Sequence, residues 1–144
     1  MDYDTVPARD FGHALQGLGI NLLCRDVLRE VAFLTEVLGM KAHRSSRDFA
    51  IIVYAGRPFQ LHADGTYARH PLADLVPENP PRGGGVELRA FETDPDEAAA
   101  RAALHPDTVI LQAPTDKPGH GLRECVILSP EGYAWVASRR IQPA

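Results

Sequence analysis

The sequence predicts an α+β fold in which two tandem βαβββ modules form a curved mixed sheet around a central cleft, with the helices outside. The order strand, helix and three strands occurs twice, over residues 17–64 and 85–141. Short phrases also recur: "GINL" at 19–22 matches "GVEL" at 85–88, and "AGRPFQLHAD" matches "EGYAWVASRR" with Gly56 opposite Gly132. One such module leaves a sheet face uncovered, so two modules can enclose a cleft, which is the usual place for a small ligand.

The first module begins with an apolar run at 17–25 that predicts a strand. The next stretch, "DVLREVAFLTEVLGMK", has apolar residues at helical spacing, and Asp26 and Gly39 stand where a helix N-cap and C-terminus are expected. Three strands are predicted after it, at 41–45, 49–54 and 58–63, separated by the turns "SSRD" and "AGRP".

The second module repeats this order from residue 85. Its helix, "DPDEAAARAAL", has Asp94 as N-cap, Pro95 at the first helical position and Glu97 completing a capping box. Strands are predicted at "GVELRAFE", "TVILQAP", "LRECVILS" and "YAWVASRRI". We therefore predict a loosely ordered N-terminal arm at 1–16 and a single domain at 17–144, with module one at 17–64, a Pro- and Gly-rich linker at 65–84 and module two at 85–141. The linker holds one short helical turn at "HPLADLV".

Composition excludes two classes of partner. The 144-residue chain has a net charge of −4 and no basic run, which argues against nucleic acid. No apolar run approaches the ~20 residues of a membrane helix. The N-terminus lacks the apolar segment of a secretory signal, and Cys24 and Cys125 are far apart, so we expect a cytoplasmic protein with reduced thiols. Cys24 fits a packed thiol better than a catalytic one.

Three phrases, "VAFLTEVLGMK", "HGLRE" and "SPEGYAWV", resemble the glyoxalase, bleomycin-resistance and ring-cleaving (extradiol) dioxygenase superfamily, the vicinal oxygen chelate fold, over about 17–141. The resemblance implies that the first and last strands of each half supply the ligands of a divalent metal (Zn, Fe, Mn or Ni), which binds two substrate oxygens. Other members of that superfamily bind drugs in the same cleft without a metal. It also implies a homodimer.

The resemblance maps four ligand positions onto this sequence. They are Gly19, Gln60, Glu87 and Val136, of which only Gln60 and Glu87 can bind a metal. Because residues two apart on a strand share a face, a looser set is Asn21, His62 and Glu87. Three protein ligands are usual for a catalytic metal, so the cage is incomplete, with Gln60, His62 and Glu87 as the fallback ligands.

The preferred hypothesis is a protein that binds a small organic molecule in the cleft. Its predicted pocket residues are Asn21, Gln60, His62, Glu87, Arg89 and Arg123. The alternative is a metal-dependent lyase, isomerase or dioxygenase in which Glu87 is catalytic together with Gln60 or His62, and a third hypothesis is an assembly subunit with a vestigial cleft. Structural interpretations without a ligand stay open as well. His62 can be an ordinary hydrogen-bonded histidine, Glu87 and Arg89 can form an ion pair, and Arg123 can belong to a surface ion pair. By strand parity, Tyr133 and Trp135 belong to the core beneath a helix.

Overall fold

The computed structural model describes residues 1–141, and the chain divides into two compact units. The first unit consists of Met1–Val31 and Met40–Val76, and the second of Ala32–Gly39 and the described residues from Pro77 to Ile141. The α+β class and the two βαβββ modules are confirmed. The predicted single domain ends at residue 144, so its last three residues lie outside the described part of the chain, and its boundaries stay a prediction.

The first unit holds a mixed four-stranded sheet with the order β1-β4-β3-β2. Its strands are β1 (Asn21–Cys24), β2 (Lys41–His43), β3 (Phe49–Tyr54) and β4 (Arg57–Ala63). β1 runs parallel to β4, and the other neighbours are antiparallel. β1 is shorter than the predicted run because Gly17 has a positive φ of 69° and the regular extended segment begins only at Asn21.

Helix α2 (Val27–Glu36) begins and ends close to where the sequence predicts. The Asp26 side chain accepts a hydrogen bond from the backbone N–H of Arg29 at 3.1 Å, which satisfies one of the free donors of the first turn. Gly39 has a φ of 68°, the left-handed conformation that commonly follows a helix. Phe33 and Leu34 are fully buried, so the apolar stripe of the helix faces the core.

The second unit repeats the architecture with the strand order β5-β8-β7-β6. Its elements are β5 (Glu87–Phe91), helix α3 (Pro95–Ala103), β6 (Val109–Lys117), β7 (Leu122–Leu128) and β8 (Ala134–Arg140). Asp94 caps α3 by accepting from the backbone N–H groups of Asp96 and Glu97 at 2.9 and 3.4 Å. Trp135 pairs with Leu88 on β5, and both Trp135 and Tyr133 are buried, as strand parity predicts.

The end of α2 belongs to this second unit. Arg101 on α3 donates from Nε to the Val37 carbonyl oxygen at 2.9 Å. The His105 ring lies edge-on to Phe33 with 6.1 Å between the centroids. Its Nε2 lies 3.2 Å from a Glu36 carboxylate oxygen. Residues that follow one another in sequence are thus divided between the two units.

The N-terminal arm is more ordered than the sequence predicts. Residues Ala8–Ala14 form helix α1, and Phe11 on that helix is buried and packs edge-to-face against Tyr3. Asp4 accepts from the Arg44 backbone N–H and from His43 Nδ1, both at 3.1 Å. These partners lie some forty residues along the chain, so no local periodicity could indicate them.

The predicted linker also contains regular structure. Two short 3-10 helices, Asp64–Tyr67 and Pro71–Leu75, follow β4, and the second coincides with the predicted helical turn. His70 caps the second of them by accepting from the Leu72 backbone N–H at 3.0 Å. Among residues 1–141, no helix has the length and apolar character needed to cross a membrane.

Candidate functional site

Three predicted site residues share one face of the first sheet. The register sets Asn21 on β1 opposite Gln60 on β4, and His62 on β4 opposite Phe49 on β3. Paired residues on neighbouring strands point to the same side, whereas Leu61, between Gln60 and His62, points to the other side and is fully buried. The structure thus brings Asn21, Gln60 and His62 together on a face that also carries an aromatic side chain.

The hydrogen bond between His62 and Gln60 fixes the state of the imidazole. His62 Nε2 lies 3.0 Å from Gln60 Oε1. An amide oxygen only accepts, so Nε2 carries the hydrogen and Nδ1 keeps a lone pair. The imidazole contacts the rings of Phe49 and Tyr67, each with 5.2 Å between the centroids. Burial among these groups lowers the pKa of His62 below its ordinary value of 6.5, so the ring is neutral at pH 7.

Tyr67 completes this cluster and was missed by the sequence reasoning. It lies in the 3-10 helix that directly follows β4, and its hydroxyl accepts from Asn21 Nδ2 at 3.1 Å. Because the hydroxyl oxygen is the acceptor in that bond, its hydrogen can be donated to another group. The Tyr67 ring also contacts His70, with 4.7 Å between centroids. The sequence could have indicated Tyr67 by its position. It is an aromatic residue four positions after the end of β4, in a stretch that is otherwise rich in Gly and Pro.

We expect the His62 imidazole to titrate with a midpoint below 6.5. The unfolded chain binds this proton at the ordinary pKa and the folded chain only at lower pH, so the free energy of unfolding should fall as the pH drops below 6.5. NMR titration of the imidazole checks the midpoint, and His62→Phe should remove this component of the pH dependence. A midpoint above 6.5 would contradict the burial of the neutral ring.

In the second unit, Arg89 is held between two carboxylates. Its guanidinium donates to Glu87 Oε1 at 2.8 Å and also to Glu124 Oε2. The Glu87 side chain is 55% exposed, whereas that of Glu124 is only 9% exposed. Hydrogen bonding to Glu87, and then to Glu124, raises the pKa of Arg89. The predicted pair of Glu87 and Arg89 is therefore present, and Glu124 extends it to a triad.

Arg123 lies apart from this triad. It precedes Glu124 on β7, so its side chain points to the opposite face, where α3 lies. There it donates to both carboxylate oxygens of Asp96 at 2.8 Å each and to Asp116 at 3.1 Å. These carboxylates, Asp96 first, raise the pKa of Arg123, and Arg123 lowers that of Asp96. The geometry matches the surface ion pair that the sequence left open, and a ligand role for Arg123 stays a prediction.

The residues present do not fit the metal cage that the resemblance implies. Gly19 and Val136 offer no ligand atom, Gln60 Oε1 is bound to His62, and the Glu87 carboxylate is bound to Arg89. No group of three or more His, Cys, Asp or Glu side chains within residues 1–141 could hold a metal ion. A working divalent site in a catalytic protein commonly has three protein ligands.

Neither cysteine is placed for nucleophilic chemistry. Cys24 and Cys125 are both free and fully buried. Burial raises the pKa of the Cys125 thiol to about 11, which keeps it protonated. Its Sγ donates to the Pro95 carbonyl oxygen at 3.4 Å.

Comparison with known proteins relates this chain to others through its fold. No protein-family model and no curated protein matches the sequence. A glyoxalase/bleomycin resistance protein/dioxygenase family enzyme from Burkholderia phytofirmans PsJN superposes with a TM-score of 0.69 at 18% identity, over 84% of this chain and 95% of that one. A glyoxalase-related enzyme from Fulvimarina pelagi gives 0.67 at 16% identity, over 88% and 89% of the two chains.

A glyoxalase/bleomycin resistance protein/dioxygenase from Nocardioides gives a TM-score of 0.64 at 18% identity, over 94% of this chain and 93% of that one. At these identities the likeness concerns the fold and not the reaction. The chain has the fold of the glyoxalase, bleomycin-resistance and dioxygenase proteins, as its sequence predicts.

Proposed function

We propose that this protein binds a small organic molecule without a metal, on the face of the first sheet that carries Asn21, Gln60 and His62. The observation that carries the proposal is the pair of hydrogen bonds on that face, His62 with Gln60 and Asn21 with Tyr67. The first bond occupies Gln60 Oε1 and His62 Nε2, two atoms that a metal cage could use. Together the two bonds leave His62 Nδ1 as an acceptor and the Tyr67 hydroxyl hydrogen as a donor for a ligand.

The chemistry of this face favours a neutral ligand. His62 Nδ1 can accept one hydrogen bond, and the Tyr67 hydroxyl can donate one. Asn21 and Gln60 are uncharged, and Phe49 supplies an apolar surface. A planar molecule with one donor near one acceptor matches these groups, whereas a charged group would meet no opposite charge among them.

Further parts of the sequence-based hypothesis are kept as proposals. They are the cleft between the modules, the pocket roles of Glu87, Arg89 and Arg123, a cytoplasmic location and a homodimer. The two free, buried thiols support a reducing compartment.

Thermal-shift screening of neutral and charged small molecules tests the proposal, with native mass spectrometry to identify ligands that copurify. We expect neutral hits whose shifts are lost in Tyr67→Phe. Tyr54→Phe is the matched control, because Tyr54 lies on the opposite face of the same sheet. Hits that are unaffected by Tyr67→Phe and by His62→Phe would refute binding at this face.

Metal analysis separates this proposal from the metalloenzyme alternative. After growth with Zn, Fe, Mn and Ni, we expect less than about a tenth of an equivalent of any of them in the purified protein. A full equivalent that is lost in Glu87→Ala would instead support the lyase, isomerase or dioxygenase hypothesis.

A further inference from the structure

The N-terminal arm builds one wall of a cavity in the first unit. The cavity has a volume of about 350 Å³ and is lined by Tyr3, residues 14–19 and residues 56–58. Residues 14–19 connect α1 to β1, and residues 56–58 belong to the turn and start of the β3–β4 hairpin. The volume lies within the range of sites that hold small molecules, so this pocket can accommodate a ligand of its own.

The arm is fastened to the sheet by polar contacts. Asp4 binds both the His43 ring and the Arg44 backbone, and the pKa of Asp4 is lowered first by the hydrogen bond to His43. The Arg44 guanidinium in turn donates from Nε to the Asp4 carbonyl oxygen at 3.2 Å and from Nη2 to the Val6 carbonyl oxygen. The Tyr3 ring lies over His43, with 5.6 Å between centroids. The wall that Tyr3 provides is therefore held in place by bonds to β2 and the residue after it.

The lining combines apolar surface with a single charge. Leu15, Leu18 and Pro58 supply apolar groups, and Leu18 is 94% exposed. Arg57 is the one charged lining residue, and no carboxylate stands beside it in the lining. Within residues 1–141, the Arg57 guanidinium makes no hydrogen bond or ion pair. An anionic group in this pocket would meet a cation that is not already neutralised.

We propose that this pocket binds a small organic monoanion, with its apolar body against Leu15, Leu18 and Tyr3 and its carboxylate on Arg57. A carboxylate is the natural partner because a guanidinium donates two parallel hydrogen bonds to it. The proposal does not depend on the neutral ligand of the His62 face, since the two sites use different lining residues.

Calorimetric titration with 2-naphthoate tests the proposal directly. We expect the wild-type protein to bind 2-naphthoate and Arg57→Gln to bind it at least about tenfold more weakly, since a hydrogen-bonded charge is lost. Arg47→Gln is the matched control, because Arg47 is another exposed arginine of the first unit that does not line this pocket. The neutral isostere 2-naphthamide should bind weakly and should not respond to Arg57→Gln. Absent binding of 2-naphthoate, equal binding by Arg57→Gln, or equal affinity for the amide would each overturn the proposal.

A second pair of variants tests the role of the arm. Asp4→Ala removes the two side-chain contacts of Asp4, with His43 and with the Arg44 backbone, and should weaken 2-naphthoate binding, whereas Asp10→Ala makes the same chemical change on α1 and should not. Melting temperatures of both variants establish that the protein is folded. If folded Asp4→Ala binds as tightly as the wild type, the arm is not a wall of the site and the proposal fails. Failure of either titration leaves the His62 face untouched, because its own test uses neutral ligands and Tyr67→Phe.

Discussion

We expect Gly132→Ala to lower the free energy of unfolding by about 3 kcal/mol or more. Gly132 has a φ of 86°, and an added Cβ would lie 2.3 Å from Pro81 Cα and 2.6 Å from the Arg82 backbone nitrogen. These are backbone atoms, so no side-chain rotation can relieve the clash. The same backbone nitrogen donates to the Gly132 carbonyl oxygen at 3.1 Å, which holds the two segments together. The substitution must therefore separate them or distort the turn before β8.

Gly56→Ala is the matched control for this effect. Gly56 occupies the corresponding turn of the first module with a φ of 76°, but nothing lies within 4 Å of its Cβ position. Gly56→Ala should lower the free energy of unfolding only by the cost of placing a Cβ on a left-handed backbone, about 1–2 kcal/mol. Urea denaturation of the two variants, compared at equal m-values, measures the difference. Similar losses of stability in both variants would mean that the close approach of the Pro81 and Arg82 backbone to Gly132 does not add to the cost of the substitution.

The second large effect is expected at Arg89. Arg89→Leu should lower the free energy of unfolding by about 2–3 kcal/mol, because it leaves the nearly buried Glu124 carboxylate without its counter-charge. We place the value below that of a fully buried pair because the Arg89 side chain is 25% exposed. Glu87→Gln should cost far less, since its carboxylate reaches solvent.

A double variant separates the charge from the packing at this position. Arg89→Leu with Glu124→Leu removes both charges together, so it should recover most of the lost stability. Denaturation of the wild type, both single variants and the double variant gives the coupling energy. Additive losses would show that Glu124 does not depend on Arg89.

The parts of the fold that were predicted correctly have local causes. Asp26, Gly39 and Asp94 mark helix ends by their own side-chain and backbone chemistry, and the strand at 49–54 was predicted with its observed bounds. The sequence did not predict that the N-terminal arm is ordered. The contacts that hold Asp4 in place come from β2 and the residue after it, which lie far along the chain. Local pattern carries no information about such partners.

In the candidate site, too, the features with local causes were predicted and those that depend on distant partners were not. Alternation along β4 placed Gln60 and His62 on one face, because the period of a strand leaves no other arrangement. Tyr67 was missed because its link to the site is a hydrogen bond to Asn21, 46 residues earlier in the chain. Arg123 and Glu124 are neighbours on β7 and so face opposite sides of the sheet, where Arg123 binds Asp96 and Glu124 binds Arg89. Strand parity could have separated them from sequence alone.

The assignment of residues Ala32–Gly39 to the second unit has a consequence for dividing the gene. A fragment that stops after Val76 would keep this segment but lack the Arg101 side chain that binds the Val37 carbonyl. A fragment that starts at Pro77 would keep Arg101 and lack the segment. No single cut releases either unit whole, so we expect the two separately expressed fragments to be less stable than the same segments in the intact chain.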